Sequence, residues 1–280
     1  SGTTGDPKLA MLTHKNLLSM GKNLMSFDPI EQGDEFVSFL PLAWIGEQMM
    51  SLACGLQVGF TINFPEEPET VQHDIREIGP QAMFSPPRIW ENMISQGQVK
   101  IEDSTKLKQN MYEWALKIGY EMADMRFRKE TPTFGVKAKH WLADWTVFQE
   151  IKDQLGLRHL KRAYTGGAAL GPDVFRFFHA LGVNLKQIYG STETSGISVV
   201  HRDGDIKFQT VGTPIPETEI KIDESGEILV ASPAVMIGYY KNEEATSETL
   251  EDGWLHTGDA GYFDDDGHLI VIDRAKDVMT

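Results

Sequence analysis

The first eight residues, Ser1-Gly2-Thr3-Thr4-Gly5-Asp6-Pro7-Lys8, bring three hydroxyls, two glycines and a lysine into one short stretch. Glycines let the backbone turn so that successive N–H groups converge on one anion; hydroxyls add donors and Lys8 adds charge, which suits a phosphate. It is not a Walker A loop, because Pro7 and Leu9 flank Lys8 where that motif has Gly and then Ser or Thr. Read alone, it serves equally as a surface turn. A second stretch, Tyr189-Gly190-Ser191-Thr192-Glu193-Thr194, follows a predicted strand, the place where open α/β sheets present ligands. There Glu193 offers oxygen to Mg²⁺ and Thr192 a donor to a phosphate; the alternative is a tight strand-to-helix loop capped by Glu193. Ser191 does not form a nucleophile elbow, since Tyr189 stands where that motif has Gly.

Three further stretches carry weaker signals. Tyr164-Thr165-Gly166-Gly167-Ala168-Ala169 is a small-residue loop that admits a flat ring. In Gly253-Trp254-Leu255-His256-Thr257-Gly258-Asp259, the carboxylate of Asp259 suits two ribose hydroxyls. Asp273-Arg274-Ala275-Lys276-Asp277 puts dense charge at a strand end and, by itself, reads as solvated surface or a salt-bridged turn.

The elements that position these stretches follow from periodicity. Thr13 reads as the N-cap of a helix through Leu17, Leu18 and Leu24. Residues 35–42 read as a strand, 44–56 as a mostly buried helix, 59–64 as a strand, 71–78 as a short helix and 81–85 as a strand. A strand over 160–164, a helix over 172–181 and a strand over 185–189 continue the pattern. The expected fold class is α/β, with mixed, largely parallel sheets covered by helices. Between residues 95 and 156 the pattern is helical: Leu107, Met111, Trp114, Ile118, Met122 and Met125 recur every three or four residues, and 141–155 gives a second helix. Such stripes are expected as core rather than as a membrane-binding face. Beyond Gly196 the character turns to β, with hairpin signals at Asp223-Glu224-Ser225-Gly226 and Asp264-Asp265-Asp266-Gly267. The expected division is therefore 1–211 as an α/β core with a helical insertion at about 95–156, 212–272 as a β-rich subdomain, and 273–280 as the start of a hinge.

Composition bounds the function classes. Of 280 residues, 41% are apolar and 24% charged, as in soluble globular proteins, and the formal net charge of −15 argues against a nucleic-acid partner. Cys54 is the sole cysteine, which excludes an internal disulfide and multi-thiolate metal sites. No stretch is long and apolar enough to span a bilayer. A cytoplasmic setting, with or without peripheral membrane association, is expected. The chain opens on a phosphate-type loop without an initiator Met and stops in a turn, so an excerpt of a longer protein is expected.

Taken together, the motifs resemble the adenylate-forming superfamily of acyl-CoA synthetases, luciferases and peptide-synthetase adenylation domains. The likeness runs in order through Ser1 to Lys8, Tyr189 to Glu193, Gly226-Glu227 with Gly238-Tyr239-Tyr240, Trp254 to Asp259, and Asp273 to Lys276. It implies the large N-terminal domain of such an enzyme, and a two-step reaction using ATP, Mg²⁺ and CoA. A carboxylate attacks the α-phosphate to give an acyl-adenylate and pyrophosphate; the CoA thiol then displaces AMP. By the resemblance, Ser1, Thr3, Thr4 and Lys8 wrap the pyrophosphate, Thr192 lies near the α-phosphate and Glu193 holds Mg²⁺, which makes Lys8, Thr192 and Glu193 the catalytic set, while Gly2, Gly5 and Gly190 join the nucleotide-binding residues. Tyr189 stacks on adenine beside Gly167 and Ala168, Asp259 and Arg274 hold the ribose, and Lys276 is the hinge. Relatives commonly place His at the position of Trp44, so the acyl pocket, to which Trp44, Gly167 and Gly190 are assigned, is expected to differ. The helical insertion and Leu40-Pro41-Leu42-Ala43 resemble long-chain fatty acyl-CoA synthetases most, with Trp44, Met49, Met50 and Phe84 suited to an acyl tunnel or equally to plain core. Transfer of the acyl group to a carrier protein, and a non-catalytic nucleotide-binding module, are the rival readings. The excerpt by itself is expected to be weakly active at best.

Overall fold

The computed structural model describes residues 7–275. Its strands are β1 (Ala10–Met11), β2 (Glu35–Val37), β3 (Thr61–Asn63), β4 (Ala82–Ser85), β5 (Arg162–Thr165), β6 (Leu185–Tyr189), β7 (Val199–Val200), β8 (Thr213–Pro214), β9 (Glu219–Ile222), β10 (Glu227–Ala231), β11 (Gly238–Tyr239), β12 (Leu250–Glu251), β13 (Trp254–Phe263) and β14 (Leu269–Arg274).

The main sheet has the order β3-β2-β4-β5-β6-β7-β8. Its first five strands are parallel and β7 and β8 close it antiparallel, so the architecture is the expected mixed, largely parallel one. Successive strand residues point to opposite faces, and both faces are covered. Met83, Ala163 and Leu185 pack with Trp90, Phe148, Phe175 and Phe178 on one side. Phe84, Tyr164 and Ile188 pack with Met20, Leu24, Met49 and Met50 on the other.

Local chemistry sets the element ends. The His14–Phe27 helix starts at Thr13, whose side chain accepts from Asn16 N while Asn16 answers in a capping box. The Val71–Ile78 helix coincides with its expected bounds. Strand β2 is shorter than expected, because Glu47 takes the Leu40 N–H at 3.2 Å and draws the chain off the sheet. The following helix is continuous over Ile45–Glu47, Gln48–Cys54 and Gly55–Val58, with a π-helical middle that apolar periodicity does not announce. In the helical segment, Pro87–Glu102 begins with proline in its first turn, well before residue 95. The helix expected to begin near Trp141 begins at Phe134, behind the Thr133 cap, and runs through Phe134–Ala143, a π-helical Asp144–Phe148 and Gln149–Leu155. Only part of the Lys106–Phe127 stripe is core: Ile118 and Met122 are buried, whereas Leu107, Met111 and Trp114 face outward.

The C-terminal part is the expected β-rich subdomain, ordered β12-β13-β10-β9 with β14 on β13, and both hairpins form where the Asp-Gly turns place them. Ile228, Val230, Met236, Leu255 and Leu269 form its core. A two-stranded ribbon of β1 and β11 joins it to the start of the chain, with Ala10 opposite Tyr239.

Candidate functional site

Parallel strands end at a common edge, and the loops leaving that edge collect most of the candidate residues. Trp44 and Glu47 follow β2, Phe84 ends on β4, Gly167 and Ala168 follow β5, and Gly190, Thr192 and Glu193 follow β6. The Thr192–Thr194 turn is 3₁₀-helical and boxed by Ser191 and Thr194. The residue after it, Ser195, donates its hydroxyl to Ala234 O at 2.7 Å, and Met236 N donates to Glu193 O at 2.7 Å. Asn16 holds the same strap by donating to Pro233 O and Val235 O.

The strap places Tyr239 over Glu193. The Glu193 side chain belongs to a residue only 8% exposed and accepts the Tyr239 hydroxyl at 2.8 Å. Lys8 Nζ lies 5.2 Å from the centre of the Tyr239 ring, a cation–π contact that follows from the pairing of β1 with β11. Asp259 and Arg274 face each other across β13 and β14, and Arg274 Nη1 donates to Asp259 Oδ1 at 2.6 Å. The other Asp259 oxygen accepts the Tyr189 hydroxyl at 2.8 Å. Burial, then the charge of Asp259, pushes the Tyr189 phenol well above its ordinary value, so it stays a donor. The Asp259 hydrogen bond raises Arg274 in turn, and the charge of Glu193 reinforces it. Lys8, Tyr239 and Glu193 thus form one linked group and Tyr189, Asp259 and Arg274 a second, with Glu193 and Tyr189 on the same loop and Arg274 near enough to sense the charge of Glu193.

Trp44 and Gly167 meet beside these groups. A Cβ on Gly167, whose φ is +86°, would lie 3.3 Å from Trp44 Cζ2. The Trp44 indole stacks on Phe84 at 5.3 Å with 12° between planes. Gly167 and Ala168 are exposed, and Ala168 O accepts from Gln187 Nε2 at 3.0 Å. Gly190 has a reason of its own: a Cβ there would sit 2.5 Å from Gly196 O, so loop packing already requires glycine. Met49, Met50 and Phe84 are buried core residues. Ser1, Gly2, Thr3, Thr4, Gly5 and Lys276 lie outside the described residues.

Sequence reasoning missed the partners. Tyr239 was part of a motif without a role. Glu227 anchors the turn before Asp259, accepting Gly258 N at 2.7 Å and facing His256 Nδ1 at 2.9 Å. Glu47 is a buried carboxylate that accepts Ser38 at 2.6 Å and also Ser51 and Leu40 N. The only available signal was position: Glu227 stands in the Gly226-Glu227 motif, and Glu47 comes three residues after Trp44, just beyond Leu40-Pro41-Leu42-Ala43. Among the described residues no cluster of three or more His, Cys, Asp or Glu side chains could hold a metal, so a cation at Glu193 would take most of its ligands from ATP and water oxygens.

Comparison with known proteins matches residues 1–240 to the family described as AMP-binding enzyme. Long-chain-fatty-acid--CoA ligase FadD15 of Mycobacterium bovis is 31% identical over all of this chain and 46% of its own length. Long-chain-fatty-acid--CoA ligase ACSBG2 of Xenopus laevis is also 31% identical, over all of this chain and 39% of its own. The chain spans less than half the length of either relative. Among solved structures, O-succinylbenzoate coenzyme A synthetase from Bacillus subtilis in complex with AMP superposes with a TM-score of 0.69 at 22% identity, covering 99% of this chain and 48% of that one, a likeness of fold.

Proposed function

Since the chain belongs to the AMP-binding enzyme family, we propose that the complete protein is a long-chain fatty acid--CoA ligase working through an acyl-adenylate. The observation that carries this reading is the pair of linked groups, Lys8 with Tyr239 and Glu193, and Arg274 with Asp259 and Tyr189, that meet at the loop leaving the carboxyl end of β6. The fatty-acid part is supported by the relatives' names and by the apolar stack of Trp44 on Phe84 beside Gly167.

In the first step the acid's carboxylate oxygen bonds to the α-phosphorus of ATP, the bond to the α,β-bridging oxygen breaks, and pyrophosphate leaves. Charge gathers on the phosphoryl oxygens, so this chain's task is to supply donors and cations rather than a nucleophile. Lys8 contributes a cation and Thr192 a hydroxyl donor. Glu193 is the residue to hold Mg²⁺, which supplies charge neutralisation when bound; the Tyr239 hydroxyl fixes the carboxylate's orientation. Asp259 holds one protein donor on each oxygen and keeps a lone pair on each for the ribose hydroxyls. Adenine lies along Gly167, Ala168 and Tyr189. In the second step the thiol sulfur of CoA bonds to the acyl carbonyl carbon, the bond to AMP breaks, and the thiol proton passes to solvent. Lys276 is the hinge between steps, in a chain divided near residues 211 and 272.

A pyrophosphate-release screen of the complete protein, over acids from two to twenty carbons with and without CoA, tests the proposal. Release favouring long chains, with thioester formed on CoA, is expected. Equal turnover of acetate or benzoate, or thioester formed only on a carrier protein, would overturn it.

A further inference from the structure

The helix over Phe134–Ala143 and its π-helical continuation are apolar on two sides. Ala143, Val147 and Phe148 point into the core. Phe134, Ala138, Trp141 and Trp145 recur at intervals of four, three and four, which places them on the opposite, outward face. Phe134 is 87% exposed, Trp141 67% and Trp145 69%, and the two indoles run parallel with their centres 6.4 Å apart. An outward stripe of this size is not the ordinary scatter of surface apolar residues.

Charge selects the occupant. Lys137 lies at one margin of the stripe, Lys139 is exposed further round the helix, and Phe134–Ala143 contains no Asp or Glu. The next acid, Asp144, is tied to Lys152 at 2.8 Å and to Gln149 at 2.6 Å. A twofold contact that buried the stripe would bring the lysines of both copies to one interface, while the nearest acid, Asp144, is already engaged by Lys152. An outward row of aromatic rings with Lys137 at its margin and Lys139 on the same exposed helix instead matches an anionic membrane surface, where rings sit at the headgroup level and lysine stems reach outward. The three aromatic side chains supply the apolar area that would leave water on docking, and the lysines supply the preference for anionic lipid. The rings therefore hold the protein and the lysines choose the lipid. The net charge of −15 opposes this only weakly, because salt screens charges beyond about 8–10 Å.

We propose that the Phe134–Trp141–Trp145 face is a membrane-docking surface that lays this helix flat on anionic lipid. The proposal is independent of the ligase reading. Flotation of the complete protein with vesicles of phosphatidylcholine plus 30% phosphatidylglycerol should show binding that weakens with salt. The variant F134S/W141S/W145S should partition at least tenfold less, and K137E/K139E should lose several-fold while keeping pyrophosphate release. Brominated phosphatidylcholine in those vesicles should quench wild-type tryptophan fluorescence and leave W141S/W145S unquenched, a readout that survives if the triple variant folds poorly. Four results would each overturn the proposal: no flotation of the wild type, equal partition of the variants, indoles in the complete protein shielded from acrylamide, or self-association removed by the triple variant without vesicle binding.

Discussion

The Tyr239 hydroxyl and the Glu193 carboxylate meet at 2.8 Å although 46 residues separate them. The contact exists because the strap from Pro233 to Ile237 is tied to Asn16, Ser195 and β1, which leaves Tyr239 little freedom. Glu193→Gln keeps the volume and removes the charge. It should cut acyl-adenylate formation by at least about a hundredfold, in the range lost when a key charge-stabilising group is removed. Tyr239→Phe, which removes only the donor, should cost about tenfold. Unchanged pyrophosphate release by Glu193→Gln at saturating Mg²⁺ would refute the metal role.

Asp259 couples Tyr189 to Arg274. Asp259→Asn leaves the guanidinium without its anion and weakens two charge-assisted hydrogen bonds, each worth about 1.5–3 kcal/mol. The KM for ATP should rise at least tenfold, with a smaller change in KM for the fatty acid. Equal effects on both would place Asp259 away from the ribose.

Trp44 stands between Phe84 and Gly167, so Trp44→Ala should open the space beside Gly167. The expected result is a change in fatty-acid chain-length preference with the KM for ATP held within about twofold. Gly167→Ala should be harmful by a different route, since its φ of +86° is strained for any L side chain. Chain-length preference unchanged in Trp44→Ala would remove Trp44 from the acyl pocket.

Two buried histidines set a pH dependence. Burial pulls His179 down to about 4 and His201 down to about 3. Unfolded histidine titrates near 6.5, so between that value and the folded ones the unfolded chain binds protons that the folded chain refuses. Stability is therefore full above about pH 6.5 and falls as the pH drops toward 4, by up to about 1.4 kcal/mol per unit for each histidine. Asp205, held down to about 2 chiefly by Lys129, has the opposite sign of charge and acts only below about pH 4. Urea midpoints at pH 7 and pH 5 should differ markedly in the wild type and less in His179→Gln. An undiminished difference in that variant would exclude His179 as a source.

Much of this was legible in advance. The helix Val71–Ile78, strand β6 and both Asp-Gly hairpins were set by local periodicity and turn chemistry, which depend on neighbours in sequence. The loops bearing Glu193 and Gly167 were legible because they follow parallel strands. What escaped depends on distant partners: Asn16 reaching Pro233 across 217 residues, or Tyr239 reaching Glu193. Glu47 escaped because a carboxylate in an apolar helix reads as surface until its three donors are known. The outward indoles Trp141 and Trp145 escaped because apolar spacing alone does not tell an inner face from an outer one.

The ribbon of β1 and β11 is only two residues deep on each side, yet it carries Lys8 just before one strand and Tyr239 within the other. Side chains alternate along a strand, so deleting a single residue between Lys8 and Ala10 would move the ammonium off the phenol without touching either. The lysine and the tyrosine are therefore indexed to each other like teeth on meshed gears, and insertions in this segment should be tolerated far less than substitutions.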